Sequence, residues 1–277
     1  MKLSNLKILA PLAAAAALMG AAGSQTITVK GSDTMVIMAQ RWAEAYMAKH
    51  PGAVIQVTGG GSGTGISALL NGTTDICNSS RPMKGSERAK LQERFGTLGI
   101  EIKSAKDGLS VYLNDANGLQ ELTLAQIKDI YTGKITNWKQ LGGDDAKIIV
   151  YGRENNSGTY VFFKDNVLDG ADYMPGMQSM PGTAAVVNAV AKDKNGIGYG
   201  GAAYAKGIRE VKVKKDAGST AYAPTAENVK SGVYPLSRFL YMYTAQRPAG
   251  AVKEYIDWIL SAEGQAIAVQ VGYFPAK

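Results

Sequence analysis

Arg153 stands four residues before Ser157, Gly158 and Thr159 in the segment GRENNSGTY (152–160), and the Ser-Gly-Thr turn opens an apolar helical stretch. This combination suits an oxyanion. The guanidinium offers a planar fork of donors, and the hydroxyls join the free backbone N–H groups of a first helical turn. Two further segments share the character: Gly31, Ser32, Asp33, Thr34, Met35, and the run TGGGSGTG (58–65), which carries Ser62. Three hydroxyl-rich, glycine-rich helix starts in one chain point to one small anion. An anion taken out of water is costly unless every oxygen is hydrogen-bonded, so neutral donors must be many. Arg153 would add charge and a bidentate grip. The alternative for Arg153 is a surface ion pair with Glu154 or another acid, and for Asp33 a plain helix N-cap.

Other chemistries lack their parts. Cys77 is the only cysteine and His50 the only histidine, so an internal disulfide and a Cys/His zinc site are both impossible. Cys77 follows Asp75 and Ile76 at the end of a buried strand, as a packed thiol. His50, before Pro51 and Gly52, marks a helix end where a cationic side chain suits the macrodipole. A hydrolase needs a nucleophile with a base or metal, and the lone histidine lies outside every candidate turn. The run TGGGSGTGI has Thr64 where a GxSxG motif needs its second glycine, and no lysine follows its glycines to make a P-loop. The chain is therefore read as a receptor with no catalysis, cofactor or metal.

Four motifs in order, GSDTM, TGGGSGTGI, Ser80–Arg81 in NSSRPM, and GRENNSGTY, resemble the phosphate-binding proteins of bacterial high-affinity phosphate ABC transporters, the PstS family. GIGYGGAAY and YPLSRFLYMYT also look like that family, so the resemblance covers nearly everything after residue 24. It implies the two-lobed, hinged periplasmic-binding fold (type II), an α/β architecture, with inorganic phosphate as ligand and an inner-membrane phosphate ABC permease as partner. By the family pattern Arg153, Ser157, Gly158 and Thr159 match second-lobe ligands. Thr34 and the backbone N–H of Met35 match the first lobe and Ser62 the next helix start; Ser32, in the same turn as Thr34, is a further candidate ligand. One position departs from the pattern. Where the best-known members carry an aspartate that accepts a ligand proton, this chain has Ser80, followed by Arg81 and Pro82. Asp33 would then replace that acceptor, and Arg81 would supply a second positive charge. Sulfate brings no proton at neutral pH, so a carboxylate inside the site argues for phosphate over sulfate or molybdate. The same module used for sensing or retaining phosphate remains an alternative to transport.

The elements that must position these residues alternate along the chain. A β-prone run Ile27–Lys30 feeds GSDTM, and Met35, Met38, Ala39, Trp42, Ala45 and Tyr46 at helical spacing predict a helix from about Thr34 to before Pro51. Val54–Val57 is the next strand, and the glycine run leads into a helix through Ile66, Leu69 and Leu70. Strand, polar turn and helix in repetition predict parallel sheets covered by helices, with ligands beyond the strands' carboxyl ends. The runs Leu109–Leu113 and Phe239–Thr244 are expected to hold or adjoin two crossings between lobes. Residues 24–108 and 238–277 would form lobe I and 109–237 lobe II. Lobe II holds helical 124–131, 160–167 and 183–191 and strand 148–151. One C-terminal helix with Val252, Tyr255, Ile256, Trp258, Ile259 and Ile267 would return to lobe I. Periodicity alone also allows a single α/β domain.

Residues 1–23 carry Lys2 and Lys7, an apolar run from Ile8 to Met19 and then small residues, the pattern of a secretory signal peptide. A membrane anchor is the alternative, but the run is shorter than the roughly 20 residues needed to span a bilayer. No cysteine near the cleavage point offers a lipid attachment, so a soluble periplasmic monomer is expected. Removing the leader leaves 254 residues and lowers the net charge from +7 to +5, 28 basic minus 23 acidic. That excess does not imply nucleic acid, because no Lys/Arg cluster is interleaved with aromatics. Lys212, Lys214 and Lys215 read as a solvated face, with a transporter-docking surface as the alternative.

Overall fold

The computed structural model describes residues 26–277, so the leader expected over residues 1–23 lies outside the described residues. The first half runs β1 (Thr26–Gly31), a 3-10 turn (Asp33–Met35), α1 (Val36–Lys49), β2 (Val54–Thr58), α2 (Ser62–Leu70), β3 (Ile76–Ser79), α3 (Gly85–Phe95) and β4 (Ile100–Leu113). There follow β5 (Glu121–Thr123), α4 (Leu124–Tyr131), β6 (Ile149–Arg153), α5 (Gly158–Asn166), β7 (Gln178–Met180) and α6 (Thr183–Lys192). The chain ends with β8 (Gly196–Gly201), β9 (Arg209–Lys214), α7 (Ala226–Ser231), β10 (Ser237–Thr244), α8 (Gly250–Leu260) and α9 (Ala262–Val271).

Strands lie in the order β2-β1-β3-β10-β4-β8-β6-β7, with β9 on β4 and β5 on β9. The expected parallel pairings are present for β1 with β2 and β3, β6 with β7 and β8, and β5 with β9. The sheet as a whole is mixed. β10 runs antiparallel to β3 and β4, and β4 antiparallel to β8 and β9. The chain that returns from the far half enters the first sheet from the opposite end, and this reverses the direction of β10.

β4 serves both halves. Its residues Ile100–Gly108 pair with β10, while Leu109–Leu113 pair with β8. On one side of that switch a core forms around Trp42, Tyr46, Ile55, Met242, Tyr255 and Ile259. On the other side Tyr131, Trp138, Phe163, Tyr199, Val213 and Tyr234 pack together. The result is a two-lobed α/β fold. The two core tryptophans each place the indole N–H inside their own lobe: Trp42 Nε1 donates to the Gly264 carbonyl at 2.6 Å and Trp138 Nε1 to the Asn195 carbonyl at 3.0 Å.

The single C-terminal helix expected from the apolar spacing is two helices. Ser261 is extended (φ −70°, ψ 168°), and its side chain accepts from the Gly264 N–H as the N-cap of α9. Serine competes with the helix for its own backbone, which breaks a pattern that periodicity alone would continue. Cys77 is fully buried in β3, and burial pushes its thiol well above the ordinary range. His50 closes α1, its ring stacked on Tyr46 at 3.9 Å. On β9 Val211 and Val213 point inward, Lys212 is exposed, and Lys214 Nζ lies 3.3 Å from Glu121.

Candidate functional site

The turns after β1, β2 and β3 on one lobe face the turn after β6 on the other. Parallel strands that end together deliver their following turns to one edge, so residues far apart in sequence converge. Ser32 and Thr34 leave β1, Ser62 starts α2, Ser80 follows β3, and Ser157, Gly158 and Thr159 start α5. The hydroxyls meet in a chain. Thr34 Oγ1 lies 2.9 Å from Thr159 Oγ1, which lies 3.4 Å from Ser80 Oγ, which lies 3.4 Å from Ser62 Oγ. The Ser80 N–H also donates to Ser62 Oγ at 3.0 Å. All four side chains are buried to within 1%. Gly158 is required by this crowding, since a Cβ there would come within 2.7 Å of Ser80 Oγ.

Ser157 is the N-cap of α5, its Oγ accepting from the Thr159 and Tyr160 N–H groups at 3.2 and 3.3 Å. Ser32 is buried, and its N–H donates to the Asn78 carbonyl at 2.9 Å. Arg153, at the end of β6, is 1% exposed. Its Nη2 donates to Asp33 Oδ2 at 2.6 Å across the lobes and its Nη1 to Thr183 Oγ1 at 3.0 Å, while Nε is buried without a partner. The surface pair with Glu154 is not formed. Asp33 is not a helix N-cap either, because its Oδ1 accepts from the Gly60 N–H at 2.7 Å while Oδ2 holds Arg153.

Two residues expected at the anion are engaged elsewhere. Arg81 forks onto Glu87 at 2.7 and 2.8 Å and onto the Pro82 carbonyl at 2.9 Å, so its charge serves the start of α3. The Met35 N–H closes the 3-10 turn on the Ser32 carbonyl at 3.0 Å, and its side chain lies in the lobe core. Burial alone would push the Glu87 carboxyl up. The Arg81 hydrogen bonds and charge, with the Lys84 N–H, outweigh burial and hold it below the usual range.

Sequence reasoning missed Arg238 and Asp107. Arg238 on β10 is 7% exposed and gives Nε and Nη2 to Asp107 Oδ2 at 3.0 and 2.8 Å. Nη1 reaches the Ser80 carbonyl at 3.2 Å and Nη2 reaches Thr159 Oγ1 at 3.1 Å. Asp107 is fully buried on β4, and burial pushes its carboxyl up against the opposing pull of Arg238. A charged residue inside the apolar run YPLSRFLYMYT was the available signal, since a buried arginine must have a partner. Asn156 was missed as well. Its Nδ2 donates to the Gly60 carbonyl at 3.0 Å and Thr64 Oγ1 at 3.2 Å, and its own carbonyl accepts from the Gly63 N–H at 2.8 Å.

Each arginine of this region therefore has its own carboxylate: Arg153 with Asp33, Arg238 with Asp107, Arg81 with Glu87. The side chains add no net charge. What favours an anion here is local, from hydroxyls, guanidinium forks and the starts of α2 and α5. Among the described residues no group of three or more His, Cys, Asp or Glu could hold a metal ion.

The PBP superfamily domain matches residues 17–263. The phosphate-binding protein PstS of Pseudomonas aeruginosa is 32% identical over 269 residues, covering 91% of this chain and 83% of that protein. PstS of Bacillus subtilis strain 168 is 32% identical over 259 residues, 91% of this chain and 81% of that one. This chain belongs to the PstS family of the PBP superfamily. PstS-type proteins are extracytoplasmic substrate-binding proteins of ABC transporters, not enzymes. A crystal structure of a phosphate ABC transporter substrate-binding protein from Clostridium perfringens, with bound phosphate, matches this PstS-type fold with a TM-score of 0.83 and 33% identity, over 91% of this chain and all of that one. An ABC-type phosphate transport receptor from Vibrio cholerae matches with a TM-score of 0.72 at 30% identity, over 90% and 99% of the two chains. No helix among the described residues of this PstS-type chain is long and apolar enough to cross a membrane.

Proposed function

We propose that this chain captures inorganic phosphate between its two lobes and delivers it to an inner-membrane ABC permease. The observation that carries the reading is the buried interlobe cluster: Arg153 beside hydroxyls and helix starts contributed by both lobes. Ser32, Thr34, Ser62, Ser80, Ser157, Gly158 and Thr159 are its candidate ligands, Asp33 its carboxylate. A cluster that carries as much negative as positive charge suits an anion that brings a proton, because the proton can be donated to an acceptor where a bare dianion would meet repulsion. That favours phosphate over sulfate.

The lobes are taken as residues 24–108 with 238–277, and 109–237. The switch of partners along β4 between Gly108 and Leu109 supports that division. Residues 1–23 would be removed on export, leaving a periplasmic monomer without lipid attachment and without affinity for nucleic acid. Calorimetric titration of ligand-stripped protein with phosphate, arsenate, sulfate and molybdate tests the function. Phosphate should bind with sulfate far weaker; tight sulfate binding without phosphate binding would overturn it.

A further inference from the structure

The phosphate reading assigns one guanidinium, Arg153, to the anion. The structure holds a second in the same cluster. We propose that Arg238 is a further anion-binding residue of this site and that Asp107 is the positioning residue that aims it. The inference rests on the phosphate reading and extends it.

Arg238 comes from the strand that returns between the lobes, yet its Nη2 lies 3.1 Å from Thr159 Oγ1 on the opposite lobe. Thr159 Oγ1 is also the hub of the hydroxyl chain, 2.9 Å from Thr34 and 3.4 Å from Ser80. One hydrogen bond therefore separates the guanidinium from the centre of the cluster. Its remaining edges are fixed by groups other than the hydroxyls. Nε and Nη2 share Asp107 Oδ2, Nη1 meets the Ser80 carbonyl, and the Phe162 ring lies 5.1 Å below Cζ. Four constraints from both lobes leave the planar fork one orientation, and in that orientation Nη2 faces Thr159.

Stability alone does not account for the pair. A buried ion pair commonly gains little over apolar residues of the same volume, and this one is 3% and 1% exposed at its two side chains. Its position accounts for it better. Asp107, on the strand β4 that serves both lobes, approaches Thr34 beside Gly201, for a Cβ built on Gly201 would touch Asp107 Oδ1 at 3.0 Å and Thr34 Cγ2 at 3.3 Å. Arg238 thus turns an Nη2 N–H toward the anion, while Asp107 holds the fork and cancels its charge. An anion bound there meets donors without net attraction to a second negative charge, which disfavours a bare dianion.

The test uses the full chain, titrated with sodium phosphate and with sodium sulfate, alongside thermal melts without ligand. Arg238→Lys keeps the charge and loses the fork; phosphate binding should weaken at least tenfold. Asp107→Asn keeps an oxygen acceptor in place and leaves Arg238 uncancelled; the phosphate-to-sulfate affinity ratio should fall at least tenfold through a gain in sulfate binding. A merely structural pair would move the melts and leave that ratio alone. If Arg238→Lys does not fold, Asp107→Asn decides the matter by itself. Variants that match the parent in phosphate affinity and in the ratio overturn the inference while leaving the phosphate reading standing. A parent that binds no phosphate overturns both.

Discussion

Arg153 makes two hydrogen bonds, Nη2 to Asp33 and Nη1 to Thr183, and buries its Nε without a partner. Removing it strands Asp33 and deletes the guanidinium donors to Asp33 and Thr183. Arg153→Ala should weaken phosphate binding by about 2–5 kcal/mol, as loss of one partner of a buried charge pair does. Thr159→Val removes a single hydroxyl and should cost about 1–3 kcal/mol. Calorimetry on both variants gives the order, and an Arg153 variant that binds like the parent would place the arginine outside the site. Glu87 concerns stability. Its carboxyl is held below its ordinary value by Arg81 and the Lys84 N–H in spite of burial, so its contribution is present above an unfolded pKa of about 4.3 and is lost as pH falls through the folded value. Glu87→Gln should therefore be less stable than the parent by about 2 kcal/mol near neutrality, with the gap closing in acid. Melts from pH 3 to 7 would show whether the two curves converge.

At the scale of elements, the glycine run before α2 also joins the two lobes. Gly61 has φ +90°, and a Cβ on it would lie 2.8 Å from the Asn156 carbonyl oxygen. Asn156 lies against this turn from the other lobe and bonds Gly60, Gly63 and Thr64. The start of α2 is therefore a docking seat between lobes. Asn156→Ala should lower apparent phosphate affinity by reducing the closed fraction, without changing the phosphate-to-sulfate ratio, since no ligand contact is removed. Titration of that variant with both anions separates the two effects. A changed ratio would mean that Asn156 touches the ligand. Gly61→Ala should act in the same direction and more strongly, because it adds backbone strain to the clash.

For the whole molecule the consequence is closure. Every contact across the cluster, Thr34 with Thr159, Asp33 with Arg153, and Asn156 with the α2 start, joins turns of different lobes that β4 and β10 connect behind them. Ligand should draw the lobes together around those strands. Small-angle scattering should show a smaller radius of gyration with saturating phosphate than without. A radius that stays constant on saturation would indicate a rigid, preformed pocket.

The local parts of this protein were legible in its sequence. The helix over Leu124–Tyr131, the buried strand at Cys77 and the helix starts at Ser62 and Ser157 follow from periodicity and turn chemistry, which act over a few residues, while the two lobes were implied only by the family resemblance. The break at Ser261 was also local, but the apolar spacing across it masked the capping signal. Partner choice was not legible. Arg81 and Arg153 both precede turns with hydroxyls, yet one forks onto Glu87 and the other crosses to Asp33. Arg238 finds Asp107 at a separation of 131 residues. A guanidinium takes whichever carboxylate the sheet register brings within 3 Å or so of it, and register is fixed by the packing of whole lobes, which no spacing in the chain encodes.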